Sequence, residues 1–496
     1  MTPRFVDLFV WEWRQAGRSP LLWTILLALL VSFVWGAQNT AWLHREQSQA
    51  IARAVASSAA YDAQTRDLAK AFHAPVSPGK GQVAYWQDPT NIAGYSEYFV
   101  KQLAAKPHAP ASALASGVSD LAPSRLEIKL NTPFGFLDTY DFQNPRGLAL
   151  GRFDLAFAAV FLGPAALLLL LCLLCTVERD RGMLRLVASQ SVAAPAWVGA
   201  RVLAILAWVV PVATIGLVAA MAGAGAPGTA AASVAAAAVL LAAYLLFWGA
   251  VAYFVLARQP GAGAALSTLA AVWAILTIGA PIALGAVLSI IDPPPSPVLY
   301  VDAQRRTTDA VQDERDAIIE SAINSRPQLA SLARPLSALD HATRLSFLVP
   351  EIEQRLSALR TAAQDHRDRQ YRAADTASWV LPSVGVENAF ARLAGTDAAR
   401  QRAFEDQARA YQQTLRAAVY PLVHAEMLIP VRPVERSTRG ILNLETPPNL
   451  PAFVFVEPKG QTPVVRALTL ASWLAVVGAL IAMLAARRAR IWRVVQ

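Results

Sequence analysis

The sequence predicts a mainly α-helical, polytopic membrane protein with six transmembrane helices and two large, mostly helical extracytoplasmic domains. Three observations lead there. Of 496 residues, 55% are hydrophobic and only 16% charged, so mean hydropathy is positive and lipid is one of the chain's solvents. Six apolar stretches are each long enough to cross a hydrocarbon layer of about 30 Å, which takes roughly 20 helical residues. The basic residues are also unevenly placed. The ends and short connections carry twelve arginines and four acids, a net +8 of the chain's +9, while the two long polar segments carry 32 basic and 31 acidic residues that nearly cancel. The positive-inside rule then puts both termini in the cytosol, and both long segments outside.

Residues 1–19 read as a cytosolic interfacial helix. At 100° per residue, Arg4, Asp7, Arg14, Gln15 and Arg18 fall on one side, and Phe5, Val6, Phe9 and Trp13 on the other. Leu8, Trp11 and Glu12 break that pattern. Span one is 20–37; Asp7, Glu12 and the missing A-x-A site favour an anchor over a cleaved signal peptide. Residues 38–154 are the first extracytoplasmic domain. Its first part, to His73, continues as a helix, 74–90 is a loop, 95–103 a short helix and 126–130 a strand. Span two is 155–177 and ends in a knot of charges. Spans three to five are 202–221, 231–256 and 264–291, without Asp, Glu, Lys, Arg or His, which argues against a proton relay or ion-driven carrier. Pro211 and Pro281 are candidate kinks. The second extracytoplasmic domain, 292–466, opens on three prolines. Helices are predicted at 302–324, 327–332, 336–347, 351–374 and about 398–419, with Thr396 as an N-cap of the last. Span six is 467–486, and 487–496 is a cytosolic tail.

The knot belongs to the segment 178–201 and begins Glu178-Arg179-Asp180-Arg181-Gly182-Met183-Leu184. By itself it reads either as a solvated charge cluster at a helix end or as a short helix with an apolar face toward lipid and charges toward a soluble partner. Upstream lie Asn144, Pro145, Gly147, Leu148, Gly151, Phe153, Asp154 and Leu155. Together these stretches resemble the type-2 family of ABC permeases, which carry a Glu-Arg-(Glu/Asp)-(Arg/Lys)-Gly-x-Leu-like motif after the second span. The run Leu393-Ala394-Gly395-Thr396-Asp397, with Phe404 and Tyr411, resembles a subgroup with a large insertion between spans five and six.

The resemblance implies that Glu178, Arg179, Asp180, Arg181, Gly182 and Leu184 form a coupling helix seated on an ATP-binding subunit. It further implies two ATP-binding subunits holding ATP and Mg, and a second permease chain, identical or a sister. Export is the family's usual direction, and a periplasmic accessory protein is a further possible partner. No cofactor or metal is expected on this chain. It has no G-x-x-x-x-G-K-[ST] loop (Gly79-Lys80-Gly81 lacks the upstream glycine and the hydroxyl), no H-x-x-x-H or H-E-x-x-H pair and no G-x-S-x-G elbow. Cys172 and Cys175 lie inside span two and read as packing residues. Asp138, Asp141 and Asp154 read as solvated loop acids. Scattered arginines without aromatic platforms argue against nucleic acid. The expectation is therefore a non-catalytic permease subunit in contact with membrane lipid. Two alternatives stand: a mechanotransmission complex acting on a periplasmic partner, and a membrane-anchored extracytoplasmic enzyme or sensor.

Overall fold

The computed structural model describes residues 5–73, 85–134, 153–189, 193–258, 260–329, 335–428, 447–458, 460 and 462–488. Arg4, Gly79, Lys80, Gly81, Asp138, Asp141, Asn144, Pro145, Gly147, Leu148, Gly151, Arg490 and Arg493 lie outside the described residues.

The chain is mainly helical, with six helices long and apolar enough to cross a membrane. Helix α1 (Phe5–Gly17) lies against the bundle. Helix α2 (Pro20–His73) holds span one and continues without interruption far beyond it, as the even supply of Ala, Gln and Arg allows. Two strands follow, β1 (Gln102–Ala105) and β2 (Arg125–Ile128), paired antiparallel with Leu103 opposite Glu127. Span two is α3 (Leu155–Cys175), followed by the one-turn helices α4 (Val177–Asp180) and α5 (Leu184–Ala188). Spans three to five are α6 (Ala194–Gly223), α7 (Ala231–Leu256) and α8 (Ala262–Ile291). Then come α9 (Pro297–Asp313), α10 (Arg315–Asn324), α11 (His341–Ala377), α12 (Pro382–Ala394), α13 (Ala398–Glu426) and span six, α14 (Pro463–Arg488).

The centre of the bundle is α7, whose Tyr244 and Trp248 are fully buried. It packs against α14, α6 and α3. Helix α3 opens with a π-turn over Ala158–Leu162, and the Tyr244 hydroxyl donates to the Val160 carbonyl there at 3.1 Å. A π-turn leaves a backbone acceptor short of its usual partner, and lipid supplies none, so a buried side chain must. Helix α6 continues through Pro211. Span five is the outlier. Only 6% of its most apolar window is buried, against 67% for the corresponding window of the fourth span.

The two polar segments, read from sequence as separate domains, share one hydrophobic core. Along α13, Phe404, Ala408, Tyr411, Leu415, Val419 and Val423 recur at helical spacing and pack on Ile92, Tyr95, Val100, Ala104, Leu126, Ile128 and Leu130 of the first segment. Each large apolar side chain so buried contributes about 2–3 kcal/mol. Polar groups on α13 then take up the loose backbone of that segment. Gln412 donates to the carbonyls of Lys129 and Thr132, and Arg416 to that of Leu130 while pairing with Glu353 of α11 at 2.8 Å.

Several local expectations differ. Residues 95–99 form a single π-turn, but 102–105 are strand, because Ala104 is needed on the shared core. Residues 327–329 form a turn rather than a helix; 330–332 lie outside the described residues. The predicted stop before 351 is absent. Helix α11 starts at His341, capped by Asp340, and continues through Pro350, where burial of Phe347, Leu348, Val349 and Ile352 outweighs the roughly 3 kcal/mol a proline costs a helix interior. Thr396 is not the N-cap of α13. Asp397 is, accepting from the amides of Ala399 and Arg400. Thr396 is instead buried and donates to the Ala115 carbonyl at 3.1 Å, while its own carbonyl accepts from Val118.

Candidate functional site: the charged knot

Span two stops at Thr176, whose hydroxyl turns back to the Cys172 carbonyl at 2.8 Å and so leaves the helix axis. One turn of helix follows, and then Gly182 at φ +71°, with open space where a Cβ would stand. That backbone conformation favours glycine, and it splits the predicted single coupling helix into α4 and α5. The chain there makes two short turns set at an angle, with Met183 N–H returning to the Glu178 carbonyl at 2.7 Å.

Both acids of the knot bond other helices, Glu178 from a largely buried position and Asp180 from the surface. Glu178 meets Arg201 of α6, with Nη2 donating to Oε1 at 2.7 Å and Nη1 bonding Oε2. The same guanidinium holds Glu12 of α1 through Nε at 2.9 Å and Nη2 at 3.0 Å. Arg201 and Glu12 are buried, and the Glu178 side chain is 16% exposed. Trp197 lies under the guanidinium, 4.9 Å from ring centre to Cζ. One cation thus joins α1, the knot and α6, in a planar fork that suits two carboxylates. Helix α1 is pinned a second time where Trp13 stacks on Trp208 at 5.0 Å and Trp208 Nε1 donates to the Trp13 carbonyl at 3.0 Å.

Asp180 takes a different helix. Its Oδ1 accepts from the Ala262 amide at 3.1 Å, capping the first turn of α8, where an N-terminal dipole favours a carboxylate. Leu184 is buried and anchors α5, and Arg179 is half-buried beside Arg201, Cys175 and Trp197. The remaining residues face outward. Arg181 and Arg185 are exposed without an ion pair among the described residues, and Met183 and Leu186 stand beside them, 40% and 66% exposed. Glu178 is thus turned into the protein, Asp180 lies on the surface while bonding α8, Arg179 is half-buried, and Arg181 and Arg185 face out.

Of the residues singled out from sequence, Glu178, Arg179 and Leu184 come together around Arg201, Asp180 reaches α8, Gly182 supplies the turn, and Arg181 stands on the surface. Sequence reasoning missed Arg201 and Glu12 as members. The signals were present: Glu12 breaks the amphipathic pattern of α1, and Arg201 stands alone ahead of a long charge-free run. The expectation that spans three to five hold no Asp, Glu, Lys, Arg or His stands for 202–221, 231–256 and 264–291, but the third helix begins at Ala194 and encloses Arg201.

A second polar region lies where α3 begins. Asp154 is not a solvated loop acid. It is buried, caps α3 through the Phe157 amide at 2.7 Å and accepts from both the amide and hydroxyl of Ser116. Gly36 of α2 packs against its backbone so closely that a Cβ there would stand 2.6 Å from the Asp154 carbonyl carbon. Asp154 also borders a cavity of about 410 Å³ shared with Tyr371, Glu387 and Arg392. Glu387 opens onto that cavity, and the protein crowding it, with Asp154 next, holds its carboxyl above the ordinary range.

Comparison with known families gives one match: residues 298–427, spanning α9 to α13, match the family described as a domain of unknown function (DUF3526). No curated protein matches the chain, and no solved structure does.

Proposed function

We propose that this chain is the non-catalytic membrane subunit of an ATP-driven ABC transporter of the type-2 kind, working as an exporter. Two copies of a separate ATP-binding subunit, holding ATP and Mg, dock on the knot. A second permease chain, identical or a sister, completes the pore. The chain sits in the bacterial inner membrane with both termini and the knot in the cytosol and the shared polar body outside, as the excess of arginine at the ends favours.

The observation that carries this reading is the joining, at the knot, of an exposed cationic and apolar face to acids that bond the bundle. The exposed Arg181, Arg185, Met183 and Leu186 offer a cationic and apolar face to a soluble partner, while Glu178 and Asp180 tie the same few residues to α1, α6 and α8. A load applied to the face reaches three helices through side chains that are already fully bonded, so little of it is lost in slack. Coupling of this sort requires two packings of the bundle, one favoured by the ATP-bound partner.

Affinity purification of the full chain from membranes in mild detergent, with identification of the proteins bound to it and an ATPase assay, tests the proposal. An ATP-binding subunit that co-purifies and is lost on Arg181→Glu with Arg185→Glu is the expected result. A chain that purifies alone and without ATPase under several gentle conditions refutes it. A second reading, force transmission to a periplasmic partner without cargo, is favoured by the way α8 is held at both ends, by Asp180 at its start and by Arg369 on Asp292 just past its last residue, and a continuous polar path between two permease chains would count against it.

A further inference from the structure

Span five is long, apolar and scarcely packed, and no residue of its segment Ala280–Ile291 is buried. It is nevertheless gripped at three places by polar contacts. At the knot end, Asp180 accepts from Ala262. In the middle, α8 contains a π-turn over Ile275–Gly279, and the Ser383 hydroxyl of α12 donates to the Leu276 carbonyl at 2.9 Å. At the far end, Asp292 just beyond Ile291 is held bidentately by Arg369 of α11, at 2.8 and 3.0 Å, with His366 Nδ1 3.0 Å away. Gln370 of the same helix donates to the Asp292 carbonyl at 3.3 Å. A carboxylate sits at the helix N-terminus, and Arg369 sits near its C-terminus. Both follow the sign of the helix dipole.

We propose that α8 is a pivoted lever between the knot and the polar body. Its pivot is the π-turn, which ends on Gly279 and is followed by Pro281, so helix geometry is locally relaxed there. Ser383 holds the pivot against α12. Each arm is about 20 Å long at 1.5 Å per residue, so a shift at Ala262 reappears at Asp292 with similar size and opposite direction. The near arm packs against α3, with Ala265 and Leu269 buried, so it moves with the knot, while the far arm has no buried residue and is free to swing. The residues matching DUF3526 carry both the pivot contact and the far grip, so the lever gives that body a function, to move with the knot. The inference rests on the permease reading only for what drives the knot end.

The test uses the full chain in lipid nanodiscs, with Cys172→Ala and Cys175→Ala, and spin labels in two pairs. Ile290→Cys with Leu468→Cys reports the far end, and Leu186→Cys with Leu266→Cys reports the knot end; all four sites are at least 40% exposed. Asp180→Ala is expected to change both distance distributions, with a shift or broadening of about 1–2 Å at 290–468, the scale of helix displacements in switching proteins. Adding Ser383→Ala is expected to remove most of the far-end change while leaving the change at the knot. Asp292→Asn is expected to act in reverse and move the 186–266 pair. A change confined to the perturbed end in both directions, or no change at either end, overturns the lever. Should Asp180→Ala fail to fold, Asp292→Asn and Ser383→Ala carry the same comparison. No nucleotide or ATPase enters the measurement, so the lever can fail while the co-purification succeeds, and the reverse.

Discussion

Removing Arg201 is the sharpest perturbation of the knot. Arg201→Met deletes the cation bonded to both Glu12 and Glu178, with contacts of 2.7, 2.9 and 3.0 Å among those lost. Two carboxylates then face each other in a site where Glu12 and Arg201 are each no more than 5% exposed. Breaking a buried ion pair by deleting one partner costs about 3–5 kcal/mol, whereas replacing the whole cluster with apolar groups is near neutral. The Trp197 contact adds about 0.5–2 kcal/mol to the loss. Urea unfolding of the solubilised chain, followed by tryptophan fluorescence, reads the effect, with Trp197 against the Arg201 guanidinium. Arg201→Met should be destabilised by about 4 kcal/mol at neutral pH, and Glu12→Leu, Glu178→Met, Arg201→Met together should recover most of it. Acidification to about pH 5 should also recover part of the single variant's loss, because protonation removes the uncompensated charge. A single variant within about 1 kcal/mol of the parent, or a loss indifferent to both remedies, would refute the reasoning.

Three further outcomes rest on the same packing. Arg181→Glu with Arg185→Glu should leave stability within about 0.5 kcal/mol, as expected for exposed sites, while abolishing association with an ATP-binding subunit in pull-down. Gly117→Ala should destabilise the polar body by several kcal/mol, seen as increased proteolysis, since φ is +51° and the new Cβ would stand 2.4 Å from the Thr396 carbonyl oxygen. Burial pushes His424, beside Arg326 and Ser346, and His108, beside Lys106, Arg400 and His44, down to about 4. A histidine depressed in the fold contributes stability that is whole above its ordinary value near 6.5 and drains as pH falls toward 4, by roughly 2–3 kcal/mol each. Unfolding at a series of pH values from about 7.5 to 4 checks this, and His424→Phe should flatten part of the slope.

The spans were legible from sequence because lipid imposes a length and an apolar composition on each helix separately. Local rules reached far: α2 continues beyond its span, and the strand near 126 is present. They failed where a neighbour distant in sequence sets the conformation. Residues 102–105 became strand because β2 and α13 wait for them, and Pro350 stayed inside α11 because its flanks are buried. Thr396 could cap a helix by type, yet the loop at Ala115 claimed it and Asp397 took the cap. In the knot, the order of charges was visible but their directions were not. The solitary place of Arg201 ahead of a charge-free run sets it apart from Arg181 in the sequence, but only the structure shows Glu12 and Glu178 converging on it from other helices. By itself the sequence determined which segments prefer lipid and where the chain must turn, since those depend on residue type and spacing. Only the tertiary structure decided which charges are paired, that two polar segments share one core, and that span five is held by its ends, since each is a contact between groups far apart in the chain.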